Sequence, residues 1–346
     1  MEFDLISLVR ESVRELKPYS SARDEYISDG SEMVFMDANE SPYSNGINRY
    51  PDPHQRQLKT ILAKKYSLSP ANILIGNGSD EVLDLIFRAF CEPQKDNVIT
   101  MPPTYGMYKV LAGINAIENK EVLLTESFEL NVEKILEAIN SSTKAIFLCS
   151  PNNPTGNSFS KTHIETLLNN FHGLLVVDEA YIDFATQSSW LDRLGQFPNL
   201  IVTRTFSKAY GMAGLRLGVC YGSEEAIAIL KRIKPPYNVN ELTQQKALHM
   251  IQNTALLEKQ VTEILMERDR MVQQVGKINF IKEIYPSDAN FILVKVDDAN
   301  RRYNEILELG VVVRNRSTLP LCDNTLRFTI GTPEENKKLL KVLNSL

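Results

Sequence analysis

Thr205-Phe206-Ser207-Lys208-Ala209-Tyr210-Gly211-Met212-Ala213-Gly214-Leu215-Arg216-Leu217-Gly218 follows the apolar run Leu200-Ile201-Val202. That run reads as a buried strand ending in a turn, so Lys208 lies just past a strand end. A lysine amine becomes a useful nucleophile when its pKa is lowered, and a fixed cation close by, here Arg216, is one way to lower it. Ser207, the small Ala213 and Gly214, and Arg216 are residue types that let a backbone approach a phosphate and neutralise it. Together they point to an imine-forming lysine beside a phosphate-bearing aldehyde cofactor. A Ser-Lys pair alone carries no such meaning, because most lysines are solvated surface charges. The rest of the chain has to supply the partners.

Length and composition bound the answer. With 346 residues the chain is long enough for two domains. Its 43% hydrophobic and 23% charged residues are ordinary for a soluble globular protein. No apolar run approaches the roughly 20 residues of a membrane span. Met1-Glu2-Phe3-Asp4-Leu5 lacks the basic start and apolar core of a signal peptide, so a cytoplasmic location is expected. A formal charge of −5 argues against nucleic-acid binding. Cys91, Cys149, Cys220 and Cys322 lie far apart in apolar surroundings and read as free buried thiols. The four histidines show no ligand spacing, so no metal site is expected.

Along the chain, residues Leu5 to Leu16 have helical apolar spacing, broken by Lys17-Pro18-Tyr19-Ser20, and a polar arm follows. A helical pattern from about Pro53 to Tyr66 leads to Ile73-Leu74-Ile75 and the turn Gly76-Asn77-Gly78-Ser79-Asp80-Glu81, which opens the apolar helix Val82 to Phe90. Strand-like runs then recur at Asn97–Met101, Val122–Thr125, Ala145–Cys149, Leu174–Val177, Leu200–Thr203 and Val219–Tyr221, with helical patterns between several of them. Such alternation predicts a mainly parallel sheet covered on both sides by helices. A long helical pattern from about Glu241 to Val275 leads to strands at Ile278–Ile284, Asn290–Val296, Val311–Val313 and Leu326–Ile330, with helices at Ala299–Leu309 and Glu334–Leu343. The expected organisation is an α/β protein. Residues 1–45 form an N-terminal helix and arm, 46–250 the large domain, and 251–346 a smaller α+β domain joined by the arm.

In open parallel sheets ligands bind beyond the carboxyl ends of the strands, and the candidate residues fall there repeatedly. Asp178 ends Leu174-Leu175-Val176-Val177, where it could hold a proton on a pyridine nitrogen and make the ring an electron sink; a strand-end aspartate is also an ordinary turn cap. Tyr181 and Asn153, the latter in Ser150-Pro151-Asn152-Asn153-Pro154-Thr155-Gly156, offer hydroxyl and amide donors for a phenolic oxygen. The same loop is also plain turn chemistry. Tyr105, after Met101-Pro102-Pro103-Thr104, offers a flat ring to stack on the pyridine. Gly78, Ser79 and Asp80 open a helix whose N-terminus can hold a phosphate, or simply carry an N-cap.

Taken in order, G-N-G-S-D-E, P-P-T-Y, S-P-N-N-P-T-G, V-D-E-A-Y, S-K-A-Y and L-R-L-G resemble the motifs of the class I/II aminotransferases, fold-type I enzymes that use pyridoxal 5'-phosphate. The resemblance covers essentially the whole chain. It implies a phosphate held by Gly78, Ser79, Asp80, Ser207 and Arg216, with Lys208, Asp178 and Tyr181 in catalysis. Leu16-Lys17-Pro18-Tyr19, Asn39-Glu40, Asn48-Arg49-Tyr50-Pro51-Asp52, Val313-Arg314-Asn315 and Leu326-Arg327-Phe328-Thr329 are similar to the histidinol-phosphate aminotransferase family of histidine biosynthesis. That likeness implies exchange of an amino group between L-histidinol phosphate and 2-oxoglutarate, giving imidazole-acetol phosphate and L-glutamate. Arg314 and Arg327 would grip the substrate anions, as guanidinium forks do. Tyr19 and Asn39 would line the substrate pocket, and Tyr50 would reach the cofactor phosphate of the neighbouring subunit in a symmetric homodimer. Tyr210 and Gly211-Met212 depart from the family pattern without touching this chemistry. Threonine-phosphate decarboxylases and aminotransferases of aromatic substrates are the alternatives, because they carry similar cofactor motifs. A cofactor-binding regulator on the same fold is the non-enzymatic reading; it would be expected to carry an added DNA-binding domain, and only a short helical pattern precedes the arm here.

Overall fold

The computed structural model describes residues 3–19 and 33–346. Its larger sheet holds β1 (Ile73–Asn77), β2 (Asn97–Thr100), β3 (Glu118–Glu121), β4 (Thr143–Cys149), β5 (Leu174–Asp178), β6 (Leu200–Thr205) and β7 (Leu217–Tyr221). Their spatial order is β1-β7-β6-β5-β4-β2-β3. Strands β3, β2, β4, β5 and β6 pair in parallel, and β7 runs antiparallel to both β6 and β1.

The continuous apolar runs of β4 to β6 follow from burial on both faces, with alternate residues going to opposite cores. Leu174 and Val176 join one core with Phe87, Phe147 and Ile201. Leu175 and Val177 join the other with Leu62, Ile146 and Val202. The helices Ser79–Phe90 and Glu224–Ile233 contribute to the first core, and Arg56–Tyr66 and Lys161–Asn170 to the second.

Some local expectations shift. The strand expected at Val122–Thr125 lies earlier, at the wholly polar Glu118–Glu121. It is the sheet edge, where charged side chains discourage further pairing, so an apolar run is not needed. Leu5 to Leu16 is two short helices, Leu5–Leu8 and Glu11–Arg14, because the Arg10 N–H donates to the Ala89 carbonyl at 3.0 Å and docks the segment on a helix end. The long helical pattern is also broken, into Glu241–Ile251 and Thr254–Val275. The Asn253 side chain accepts from the Leu256 N–H at 3.2 Å and caps a new start.

The smaller sheet is antiparallel, in the order β10-β11-β9-β8, with β8 at Ile281–Ile284, β9 at Phe291–Val296, β10 at Arg314–Asn315 and β11 at Thr325–Thr329. Val311–Val313 is not a strand. Gly310, with φ +79°, ends the preceding helix, and the Val311 N–H bonds back to Ile306 at 3.2 Å, so pairing begins only at Arg314. This sheet has its own core, including Met271, Ile292, Val294, Leu326 and Phe328. The loop after β4 meets it closely. Gly156 has φ +88°, its carbonyl accepts from the Asp288 N–H at 2.7 Å, and a Cβ there would lie 2.6 Å from Ser287 Oγ. Only glycine fits such an approach. No helix of the described residues is long and apolar enough to cross a membrane.

Candidate active site

The carboxyl ends of β4, β5 and β6 open onto a cavity of about 310 Å³, closed on its far side by the smaller sheet. Ser79, Asp80, Tyr105, Asn153, Asp178, Tyr181, Ser207, Lys208, Arg216, Arg314 and Arg327 all line it. Strand-end geometry brings together residues that are up to 248 positions apart in the chain, Ser79 and Arg327 being the extremes.

One end of the cavity is built for an anion. Gly78, φ +85°, precedes the helix Ser79–Phe90, and no side chain caps that helix, so its first N–H groups keep their free donors and the positive end of its dipole. A Cβ on Gly78 would lie 2.7 Å from Arg216 Nη2, and one on Gly218 would lie 2.2 Å from the Ser79 nitrogen. Both glycines are therefore needed for the backbone and the guanidinium to close on the same spot. Asp80 is the one acid here. Its Oδ1 accepts from the Tyr105 hydroxyl at 2.9 Å and its Oδ2 lies 3.6 Å from Arg216 Nη2, which partly neutralises it.

Asp178 stands at the other end, 3% exposed. Its Oδ2 accepts from the Tyr108 hydroxyl at 3.0 Å, while its Oδ1 is buried and has no partner. Burial pushes the carboxyl up from 3.8 to about 6, against the pull of the Tyr108 hydrogen bond. A buried acceptor with one oxygen unused calls for a cationic or protonated donor from a ligand. A pyridine ring carrying a proton on nitrogen meets that need, and a phosphate meets the uncapped helix, so the residues present fit pyridoxal 5'-phosphate.

Lys208 is exposed to the cavity, with Nζ 5.7 Å from the centre of the Tyr181 ring. Its pKa is lowered, chiefly by the surrounding protein mass and then by Arg327, with Asp178 opposing. Arg216, which the sequence suggested for this task, contributes least among these neighbours. Burial pushes the Tyr181 phenol up, so it remains a hydroxyl donor. Asn153 Oδ1 accepts from Arg327 Nη1, which leaves its two N–H donors for a ligand. Burial, with Arg316 and Arg314 close by, brings Arg327 down to about 10.

Three candidates lie elsewhere in the single chain. Asn39 and Tyr50 line a separate cavity of about 420 Å³ with Arg49 and Leu242, and Tyr50 is half exposed and stacks on Tyr237 with ring centres 4.4 Å apart. Tyr19 is 74% exposed beside His54 and Lys231. Among the described residues these three side chains lie outside the lining of the Lys208 cavity. Two residues escaped the sequence reading. Tyr108 looks like an ordinary buried helix aromatic, and only packing shows its hydroxyl on Asp178. Arg316 lies two residues beyond Arg314, a spacing that returns to the same side of an extended chain and could have flagged it.

Comparison with known proteins agrees with this geometry. The family described as aminotransferase class I and II matches residues 32–343. The chain is 61% identical over 345 residues to the histidinol-phosphate aminotransferase of Christiangramia forsetii, covering 100% of this chain and 99% of that one. It is 58% identical over 345 residues to the enzyme of the same description from Flavobacterium johnsoniae, covering 99% of each. Among solved structures, the histidinol-phosphate aminotransferase of Sinorhizobium meliloti in complex with pyridoxal-5'-phosphate superposes with a TM-score of 0.78 at 25% identity, covering 86% of this chain and 82% of that one. With a mostly parallel sheet, a lysine past its sixth strand and these relatives, the chain belongs to the pyridoxal-phosphate-dependent class I and II aminotransferases and, among them, to the histidinol-phosphate aminotransferase family.

Proposed function

We propose that this protein moves an amino group reversibly between L-histidinol phosphate and 2-oxoglutarate, as a homodimer, with pyridoxal 5'-phosphate in the cavity of Lys208. The observation that carries the reading is one cavity holding a lysine of lowered pKa, a buried carboxylate with an unused oxygen, and a wall of arginines. When bound, the cofactor supplies an aldehyde for the amine and a protonated ring that draws electrons from the carbon losing its proton.

The chain supplies everything else. The amides at the start of helix Ser79–Phe90, Ser207 and Arg216 hold the phosphate. Asp178, steadied by Tyr108, keeps the proton on the ring nitrogen. Tyr181 and Asn153, which line the cavity, would donate to the phenolic oxygen, and the Tyr105 ring would lie against the pyridine. Lys208 Nζ would hold the cofactor and, once freed by the substrate amine, would move a proton between the substrate carbon bearing nitrogen and the cofactor's former aldehyde carbon. Such a task suits an amine whose pKa is brought toward neutrality. Arg314 and Arg327 grip the phosphate of one substrate and the carboxylates of the other. Tyr50, Asn39 and Tyr19, exposed on the single chain, complete the site of the partner subunit.

Product analysis tests the reaction. L-glutamate and imidazole-acetol phosphate formed in equal amounts are expected, and carbon dioxide released from threonine phosphate would instead favour a decarboxylase. Arg327→Ala should raise KM for both substrates by about 10- to 100-fold, the loss of a charge-assisted pair. A normal KM for glutamate would contradict the clamp. Tyr108→Phe removes the hydroxyl that donates to Asp178 Oδ2, so the carboxyl should rise further and be harder to ionise. Turnover at neutral pH should drop by roughly tenfold or more, and the acid limb of the pH–rate profile should move up. An unmoved profile would mean that Tyr108 only fills space.

A further inference from the structure

Arg316 is held in place by its backbone. Its N–H donates to the Thr325 carbonyl at 2.9 Å, extending the β10–β11 pairing by one residue, and its carbonyl accepts from the Leu319 N–H at 2.9 Å. Arg314 is paired across the strands with Arg327, and Arg316, two residues on, returns to the same side. All three guanidiniums therefore arise from one face of a two-stranded ribbon, and all three line the cavity.

Such crowding needs an explanation. Among the described residues no carboxylate pairs with any of the three. The acids that line the cavity are Asp80, engaged by Arg216 and Tyr105, and Asp178, engaged by Tyr108. Burial and the neighbouring Arg314 both disfavour the Arg316 cation. Arg327 has Asn153 and the Phe291 ring, whose centre lies 4.9 Å from its guanidinium carbon. Among the described residues Arg316 makes no side-chain hydrogen bond, and its Nε, like that of Arg327, is buried without a partner. A donor left unpaired and repelled by its neighbours stabilises nothing in the ligand-free protein, so its partner must arrive with the substrate.

Charge distribution selects that partner. A carboxylate is one negative charge on two oxygens, which a single fork satisfies. A phosphate monoester places nearly two charges on three terminal oxygens and can take more than one guanidinium at once. Three clustered cations match one concentrated dianion better than two carboxylates spaced along a chain.

We propose that Arg316 is a specificity-determining residue that binds the phosphate of the phosphorylated amine and contributes little to glutamate or 2-oxoglutarate. The inference rests on the substrate reading above and deepens it. Arg316→Gln keeps a polar side chain of similar reach and removes the charge, while Arg316→Lys keeps the charge and removes the fork.

Dissociation constants measured by calorimetry in a Lys208→Ala background, where no turnover intervenes, should weaken by about 10- to 100-fold for L-histidinol phosphate in Arg316→Gln. Those for L-glutamate should change by less than about threefold, and Arg316→Lys should recover part of the loss. The two half-reactions of the otherwise wild-type enzyme should show the same split in KM. Equal weakening of both ligands, or a loss confined to glutamate, would overturn the assignment. Wild-type protein that reacts with L-glutamate but not with L-histidinol phosphate would overturn the substrate reading itself. A wild type that accepts both, with an unaffected Arg316→Gln, would overturn only the role of this arginine.

Discussion

Lys208→Ala protein is expected to fold, to hold pyridoxal 5'-phosphate without a covalent bond, and to turn over at least about 10⁴-fold more slowly than wild type. The size of the loss follows from two jobs on one atom. In the proposed function Nζ both anchors the cofactor and carries the proton between two carbons, and among the described residues no second lysine lines the cavity to replace it. Folding should survive, since the side chain is exposed to the cavity and makes no ion pair among the described residues. Borohydride reduction followed by mass measurement of the chain reads the covalent link directly. The wild type should gain the mass of the reduced cofactor on the peptide containing Lys208, and the variant should gain none. Turnover within tenfold of wild type would refute the assignment.

Asp178→Asn should lose activity by a factor of about 10³ or more, because a neutral amide cannot hold the ring nitrogen protonated. Its effect on stability has the opposite sign. In the cofactor-free protein the folded carboxyl sits at about 6, above its ordinary 3.8. Its contribution to folding is therefore fully present below pH 3.8 and is lost as pH rises through about 6. Asparagine does not titrate and loses nothing over that window. Relative to wild type, the cofactor-free variant should gain about 2 kcal/mol between pH 4 and pH 6, read as the difference between denaturant unfolding curves. A cationic ring nitrogen favours the carboxylate, so adding cofactor should raise Tm more in wild type than in the variant. A stability difference that stays flat with pH would show that Asp178 is not the isolated buried acid the structure describes.

Local pattern made much of this readable from the amino-acid sequence, and packing hid the rest. Apolar runs ending at Cys149, Val177 and Thr203 placed three sheet strands close to their true limits, because strands buried on both faces need unbroken hydrophobic sequence. Glu118–Glu121 needs none at the sheet edge, and it was misplaced for that reason. Lys208, Asp178 and Asn153 stand in short motifs at or just past strand ends, where such folds bind ligands, so chain order alone gathered them. Tyr108 and Arg316 depend on distant partners, Asp178 and the strand pair β10–β11, which no local window contains. Tyr19, Asn39 and Tyr50 lie away from the cavity of their own chain, and a second subunit is what would give them work.

The most direct measurement is the absorption spectrum of the purified protein before and after L-histidinol phosphate, with no keto acid present. The visible band of the lysine-bound cofactor should disappear as the amino group passes to it, a shorter-wavelength band should replace it, and 2-oxoglutarate should restore the first. A visible band that ignores L-histidinol phosphate would contradict the proposed function while leaving the cofactor site intact.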